Sequence, residues 1–195
     1  ETGPTHHGIF DIVYLRMIPN LKVLAPADES ELASALHTAL ALKGPVALRY
    51  PRGEACGVPL PDNPKLLEVG KSRCVREGND VSILSFGRML SYACEAADIL
   101  EEHSISACVV DMRWIKPLDI EAIRSASKTS LVVTLEEGVV EEVLEVLVKE
   151  HLHSNVVNLG IPNTFIEQGS VAHLFQDLGL DGEGIAASIL NHLNK

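Results

Sequence analysis

Apolar residues between positions 66 and 195 follow two spacings that alternate along the chain. Short runs made mainly of apolar residues, such as Val-Ser-Ile-Leu and Leu-Val-Val-Thr-Leu, are typical of strands buried on both faces of a parallel sheet. Strands are predicted at Val81–Phe86, Ala107–Met112, Leu131–Leu135 and Val156–Leu159. Apolar residues at helical spacing predict helices at Met89–Glu102, Ile120–Ala126, Val140–His151 and Gly184–Leu193. This alternation predicts the α/β class: a three-layer αβα arrangement with helices on both sides of a mostly parallel sheet.

The first fifty residues show the same alternation in a shorter form. A helix is predicted near Phe10–Ile18 and a strand near Lys22–Ala25. Asp28 then precedes Glu31 by three residues at the head of an apolar stripe, which resembles a capping box with Asp in place of Ser or Thr. Gly44-Pro45 ends this second helix, and Val46–Tyr50 follows as a strand.

A break in composition separates these two parts of the chain. Residues 53–65 contain three prolines and two glycines, which disfavour a regular helix or a central strand. Residues 1–53 carry five basic and five acidic side chains, so the whole net charge of −11 lies in residues 54–195. The sequence therefore predicts one domain in residues 1–53, a linker over 54–65 and a second domain over 66–195.

Composition narrows the class of function. The acidic balance argues against a nucleic-acid partner, because such binding depends on basic side chains that neutralise phosphates. No apolar run reaches the roughly 20 residues that cross a bilayer, so no membrane partner is expected. The four cysteines show no Cys-x-x-Cys spacing, which favours reduced thiols in a cytosolic protein. The first residues lack an initiator Met and a secretory signal, so a piece of a longer chain or a tag remnant is expected.

The first candidate for chemistry is His6, in the segment Gly3-Pro4-Thr5-His6-His7-Gly8. The segment precedes the helix near Phe10, whose positive end favours anions. Histidine is the side chain whose ordinary pKa best suits proton transfer near neutral pH. From these residues alone, an exposed turn or a tag remnant explains the segment as well.

The second candidate is Arg52, in Arg49-Tyr50-Pro51-Arg52-Gly53. Ligands of open α/β sheets bind at the carboxyl ends of strands, where this segment follows the strand at Val46–Tyr50. A guanidinium group there offers two parallel donors to a phosphate or carboxylate. A surface ion pair is the alternative.

Other titratable groups favour structural roles. Glu136 and Glu137 precede a predicted helix, where carboxylates suit the helix dipole. His151 and His153 have no further ligand at metal-binding spacing and indicate a solvated helix end. No dinucleotide-binding, P-loop, nucleophile-elbow or zinc motif is found.

The segments that carry these candidates resemble the 1-deoxy-D-xylulose-5-phosphate synthase family. The likeness lies in Gly3–Asn20, Arg49–Gly53 and Lys116–Asp119, and continues through Gly160–Asn163 and Leu178–Ile185. It covers nearly the whole chain. Transketolase and the β-subunits of 2-oxoacid dehydrogenases share the architecture and remain alternative assignments.

The resemblance implies a transferase that uses thiamine diphosphate and Mg²⁺ to join pyruvate to D-glyceraldehyde 3-phosphate with loss of CO₂. The product would feed non-mevalonate isoprenoid, thiamine and pyridoxal synthesis. Residues 1–53 would be the second half of a transketolase pyrimidine-binding domain, and 66–195 a transketolase carboxyl-terminal domain. By position, His6 matches the histidine over the acceptor carbonyl and Arg52 matches the arginine that holds the acceptor phosphate. Thr2, Thr5 and Tyr50 are further candidates for the substrate pocket. A homodimer in the bacterial cytosol, or in a plastid if the source is a plant or alga, is also implied.

The sequence departs from the family pattern in three ways. Thr2 stands where the family has an acid that contacts the acceptor, and the glycine-rich loop expected after Glu136-Glu137 is absent. The family's diphosphate and Mg²⁺ site would lie upstream of residue 1. We therefore expect these 195 residues to be inactive alone. A non-catalytic dimerisation module is the second hypothesis for the isolated chain.

Overall fold

The computed structural model describes residues 8–138 and 142–194, and within them it contains seven helices and eight strands. The helices are α1 (Asp11–Met17), α2 (Glu29–Ala41), α3 (Met89–Glu102), α4 (Ile120–Ala126), α5 (Glu142–Lys149), α6 (Val171–Asp177) and α7 (Gly182–Leu193). The strands are β1 (Lys22–Leu24), β2 (Val46–Leu48), β3 (Arg73–Arg76), β4 (Val81–Ser85), β5 (Ala107–Asp111), β6 (Trp114–Lys116), β7 (Leu131–Glu136) and β8 (Val156–Gly160).

The larger sheet has five strands in the order β3-β5-β4-β7-β8. The β4 strand pairs in parallel with both β5 and β7, and β7 pairs in parallel with β8. Only β3, at one edge, is antiparallel. Three of the four pairings are parallel, so the predicted mostly parallel sheet is confirmed. Every residue of β4 and β7 is buried, as expected for central strands covered on both faces.

Helices cover both faces of this sheet. On one face, α3 and α7 pack Met89, Leu100 and Ile185 against Ile83 and Val133. On the other face, α1, α4 and α5 contribute Ile12, Ile123 and Leu147 to a second core with Leu84 and Val132. The three-layer αβα class expected from the sequence is therefore confirmed, and α1 from the first part of the chain belongs to one of its layers.

A smaller sheet joins the two parts of the chain. Its order is β2-β1-β6, with β1 parallel to β2 and antiparallel to β6. The buried Trp114 of β6 packs with Leu24 and Ala35, and the turn before it places Arg113 at a positive φ of 56°. A strand from the second part of the chain thus completes the sheet of the first part.

Three elements were not predicted: β3, β6 and α6. The β3 sequence, Arg-Cys-Val-Arg, suits an edge strand and has no apolar run, while β6 has only three residues. The α6 helix is a short helix capped by Ser170. The predicted start of α2 is confirmed, because the Asp28 carboxylate accepts a hydrogen bond from the Glu31 amide at 2.8 Å. Residues 54–65 form neither helix nor strand.

Candidate functional site

The carboxyl ends of strands from both sheets meet in one region. A Cβ added to Gly87, just after β4, would lie 3.5 Å from the Ala25 Cβ, just after β1. Gly160, at the end of β8, lies so close to the chain that follows β7 that an added Cβ would be 2.8 Å from the Gly138 carbonyl oxygen. The region matches the edge at which open α/β sheets bind ligands.

Arg49, directly after β2, is the central charged residue of this region. Its Nε donates to both carboxylate oxygens of Asp11, at 3.4 and 3.3 Å. Its Nη1 donates to the Glu137 Oε2 at 3.3 Å, and its Nη2 donates to the Glu137 carbonyl oxygen at 2.7 Å. The same Nη2 reaches the Gly8 carbonyl oxygen at 3.3 Å. The Arg49 side chain is only 12% exposed, so one guanidinium group ties three distant segments together with little solvent between them.

Glu137 has two basic neighbours. Besides Arg49, the Arg88 Nη1 lies 4.0 Å from the Glu137 Oε1. The Arg88 guanidinium also stands 5.5 Å from the centre of the Phe175 ring, a cation–π arrangement. The sequence assigned Glu137 to the dipole of the following helix, whereas the structure directs its carboxylate to two arginines. Asp11, Arg49, Arg88 and Glu137 together carry no net charge.

Arg52 lies three residues after Arg49 and differs from it in its exposure to solvent and in its polar contacts. Its side chain is exposed, and within residues 8–138 and 142–194 it makes no hydrogen bond or ion pair. Tyr50 is 61% exposed, and Pro51 between them is half-buried. The two candidates that the sequence placed here therefore face solvent beside the Arg49 network.

The chain after Arg52 is held by a carboxylate from α2. The Glu29 Oε1 accepts from the Val58 amide at 2.6 Å, and its Oε2 accepts from the Cys56 amide at 3.2 Å. Hydrogen bonds from backbone amides, including its own, lower the pKa of Glu29. Glu29 thus fixes the chain four to six residues after Arg52.

His6, Thr2 and Thr5 lie outside the described residues. The nearest described residue is Gly8, whose carbonyl oxygen is held by Arg49. Close by in the chain, the Phe10 ring contacts the Phe165 ring edge to face, with centroids 6.1 Å apart.

A second charged cluster links α2 to the larger sheet. Arg113 donates to both oxygens of the Glu31 carboxylate at 2.8 Å, and the Arg73 Nη2 lies 3.0 Å from the Asp111 Oδ2. Asp111 is fully buried, and burial raises its pKa to about 6 against the opposing effect of Arg73. This cluster was not predicted, since its members are far apart in the sequence.

Within the described part of the chain, no three His, Cys, Asp or Glu side chains are grouped as a metal ion would require. All four cysteines are free thiols, as expected. Among those same residues, no helix is both long and apolar enough to cross a membrane.

Comparison with known families accounts for both parts of the chain. Residues 70–185 match the family model of the transketolase carboxyl-terminal domain, and residues 1–57 match that of the transketolase pyrimidine-binding domain. The chain belongs to the transketolase family. Its sheet order and layers are those of a transketolase-like α/β fold.

Curated relatives of the chain include 1-deoxy-D-xylulose-5-phosphate synthases. The chain is 46% identical to a 1-deoxy-D-xylulose-5-phosphate synthase of Syntrophotalea carbinolica and 42% identical to that of Vibrio vulnificus, over 98% and 99% of its own length. It spans about a third (31%) of each of these relatives. The likeness to the synthases that the sequence motifs indicated is thus confirmed.

Solved structures share the transketolase-like fold of this chain. A chain described as a split-gene transketolase, inactive beta4 tetramer, superposes with a TM-score of 0.87 at 34% identity, covering 98% of this chain and 64% of that one. A transketolase of Campylobacter jejuni superposes with a TM-score of 0.77 at 23% identity, covering 98% of this chain and 29% of that one, which shows the shared fold.

Proposed function

We propose that this transketolase-family chain is the carboxyl-terminal part of a 1-deoxy-D-xylulose-5-phosphate synthase. The full-length protein would condense pyruvate with D-glyceraldehyde 3-phosphate, with loss of CO₂, to give 1-deoxy-D-xylulose 5-phosphate. This product would supply isoprenoid, thiamine and pyridoxal synthesis. The observation that carries the proposal is the exposed Arg52 at the carboxyl edge of the sheet, which no described residue neutralises.

Arg52 would bind the phosphate of the acceptor. Its neighbour Arg49 is already matched by the carboxylates of Asp11 and Glu137, so Arg52 is the arginine whose donors are available to a ligand. A guanidinium fork binds phosphate oxygens in pairs. Binding energy from a phosphate that takes no part in the reaction is then used to orient the aldehyde.

His6 would lie over the acceptor carbonyl and donate a proton or hydrogen bond to its oxygen. In the sequence, His6 comes two residues before Gly8, whose carbonyl oxygen accepts a hydrogen bond from Arg49. Thr2, Thr5 and the exposed Tyr50 would complete the acceptor pocket.

Thiamine diphosphate, when bound, supplies the carbanion chemistry of such enzymes. The described residues offer no cluster suited to Mg²⁺, so they do not fit the diphosphate and metal site, and this chain would contribute the acceptor side only. We therefore propose that the 195 residues alone form no product. The full-length enzyme would act as a homodimer in the cytoplasm, or in a plastid of a plant or alga.

Substitution of Arg52 by Lys in the full-length protein tests this function. Lys keeps the charge but loses the fork, so the KM for glyceraldehyde 3-phosphate should rise by about tenfold while the KM for pyruvate changes little. Arg124→Lys is the matched control, because Arg124 forms ion pairs with Glu121 and Glu150 on the surface. Equal changes in both KM values would show that Arg52 does not hold the phosphate.

Acceptor competition separates the synthase from its relatives. Glyceraldehyde 3-phosphate should compete as acceptor, whereas effective use of ribose 5-phosphate would indicate transketolase and use of a lipoyl domain would indicate a dehydrogenase β-subunit. The same full-length protein serves for all three assays.

A self-associating module is the second candidate for the chain alone. Val13, Tyr14 and Met17 of α1 are exposed apolar side chains, and the similar split-gene chain is described as a tetramer. Light scattering at high protein concentration decides this point, since a strict monomer would rule the module out.

A further inference from the structure

Three segments that are far apart in the sequence meet at the Arg49 guanidinium. These are the chain before α1, represented by Gly8 and Asp11, the chain after β2, and the chain after β7 at Glu137. Of the five N–H donors of the guanidinium, Nε and both Nη atoms are engaged. The side chains of Arg49, Asp11 and Glu137 are 12, 21 and 15% exposed, so the network is largely shielded from water.

The position of Arg49 in the sequence links both candidate groups of the acceptor site. Gly8, whose carbonyl oxygen Arg49 holds, comes two residues after His6. Arg52 comes three residues after Arg49 itself, and the Arg49 amide donates to the Leu24 carbonyl oxygen at 2.8 Å, which fixes the start of that segment to β1.

We infer that Arg49 is a positioning residue: it holds the chain beside His6 and the chain leading to Arg52 at one fixed separation, against the carboxyl end of β7. The inference rests on the proposed function, because it assigns His6 and Arg52 to the same acceptor molecule. Arg49 itself does not touch the acceptor, since its donors point to Asp11, Gly8 and Glu137.

The planar shape of the guanidinium is what this role requires. Its donors point in fixed directions, so it can hold two carboxylates and two carbonyl oxygens at once. A Lys ammonium at the same position keeps the charge but is a single point on a flexible stem. Loss of the fork would let the two segments shift relative to each other, and a misplacement of about 1 Å at a reacting group lowers rates by up to about a hundredfold.

The test uses the full-length protein with Arg49→Lys, Arg49→Ala and the surface control Arg124→Lys. We expect Arg49→Lys to lower kcat/KM for glyceraldehyde 3-phosphate by about ten- to a hundredfold while the KM for pyruvate stays within about twofold of the parent value. Guanidinium ion at a millimolar, non-denaturing concentration should restore part of the activity of Arg49→Ala, because it fills the vacated site. Arg124→Lys should match the parent protein.

The outcomes separate this inference from the proposed function. A KM for pyruvate that rises as much as kcat/KM for glyceraldehyde 3-phosphate falls, or no rescue by guanidinium, overturns the positioning role. If the parent protein makes no product from the two substrates, the proposed function fails, and hydrogen exchange decides the inference. The amides of residues 8–12 and of Tyr50, Arg52 and Gly53 should exchange faster in Arg49→Lys than in Arg124→Lys. Unchanged exchange in these segments overturns the inference in either case.

Discussion

Replacement of Asp111 by Asn should change how the stability of the chain depends on pH. Asp111 ends β5 and is fully buried among charged groups from three neighbouring segments: Arg73 of β3, Glu31 of α2 and Arg113 before β6. Burial raises its pKa from the ordinary 3.8 to about 6, and the Glu31 carboxylate acts in the same direction, while Arg73 and Arg113 oppose the rise. The cost of removing the charge from water thus exceeds the attraction of the two arginines.

The sign of the effect follows from proton binding. Between pH 4 and pH 6 the folded chain keeps a proton on Asp111 that the unfolded chain has already released. The stability from this group is therefore complete below pH 4, decreases as the pH rises towards 6, and is lost above it. A pKa rise from 3.8 to about 6 corresponds to about 3 kcal/mol in the free energy of unfolding, of which roughly half is lost between pH 5 and pH 8.

The contribution of Asp111 to the free energy of unfolding can be measured by urea unfolding from pH 5 to pH 8. The 195-residue chain and Asp111→Asn are compared. The free energy of unfolding of the variant minus that of the parent should increase by roughly 1 to 2 kcal/mol over this range, because Asn has no proton to exchange. The test is the change of this difference with pH. Its absolute size at any one pH does not decide the question.

Asp119→Asn is the matched control. Burial acts to raise the pKa of Asp119, but hydrogen bonds from Ser72 and Ala122 outweigh it and lower the pKa below 3.8. This carboxylate therefore stays ionised from pH 5 to pH 8, and the difference between Asp119→Asn and the parent should be flat. A flat difference for Asp111→Asn as well would mean that the two arginines outweigh burial, and the reasoning above would be refuted.

Two further substitutions test the packing and the linker. Gly78→Ala should destabilise the chain by about 3 kcal/mol in urea unfolding, since the added Cβ would lie 2.2 Å from the Ala107 carbonyl carbon. Gly8→Ala is the control, because no atom of the described residues lies within 4 Å of a Cβ added there. Equal stabilities of the two variants would show that the chain at Gly78 can move away from Ala107 without loss of stability. Glu29→Ala should speed proteolytic cleavage within residues 54–65, because the amides of Cys56 and Val58 lose their acceptor. Glu121→Ala removes an acidic residue from the first turn of α4 and should leave that cleavage rate unchanged; equal acceleration would contradict the anchoring role of Glu29.

The larger sheet was predictable because the sequence of each of its parallel strands is by itself typical of a buried strand. Short runs made mainly of apolar residues identify β4, β5, β7 and β8 without knowledge of their neighbours. The β6 strand has no such signal: three residues long, it becomes a strand by pairing with β1, about ninety residues earlier. Pairing between distant segments is the part of the fold that single-sequence patterns do not contain.

The candidate site, like the sheets, was only partly predictable from the sequence. The motif Arg49–Gly53 marks the region, but the sequence does not distinguish the roles of its two arginines. That distinction comes from Asp11 and Glu137, which lie 38 and 88 positions away from Arg49. The roles of His6, Thr2 and Thr5, and the division into domains at residues 54–65, stay predictions.

The antiparallel pairing of β1 with β6 has a consequence for how this molecule can be divided. A cut in the irregular segment 54–65 separates the two parts covalently, yet β1 would still lie hydrogen-bonded to β6, and Ile12 would still be buried against Leu84. The two pieces would stay together as a non-covalent complex. An isolated first piece would have a two-stranded sheet with a bare edge, which is at best marginally stable in water. The two parts of this chain are therefore expected to behave as one packed unit, held together across the proline-rich segment by β1, β6 and α1.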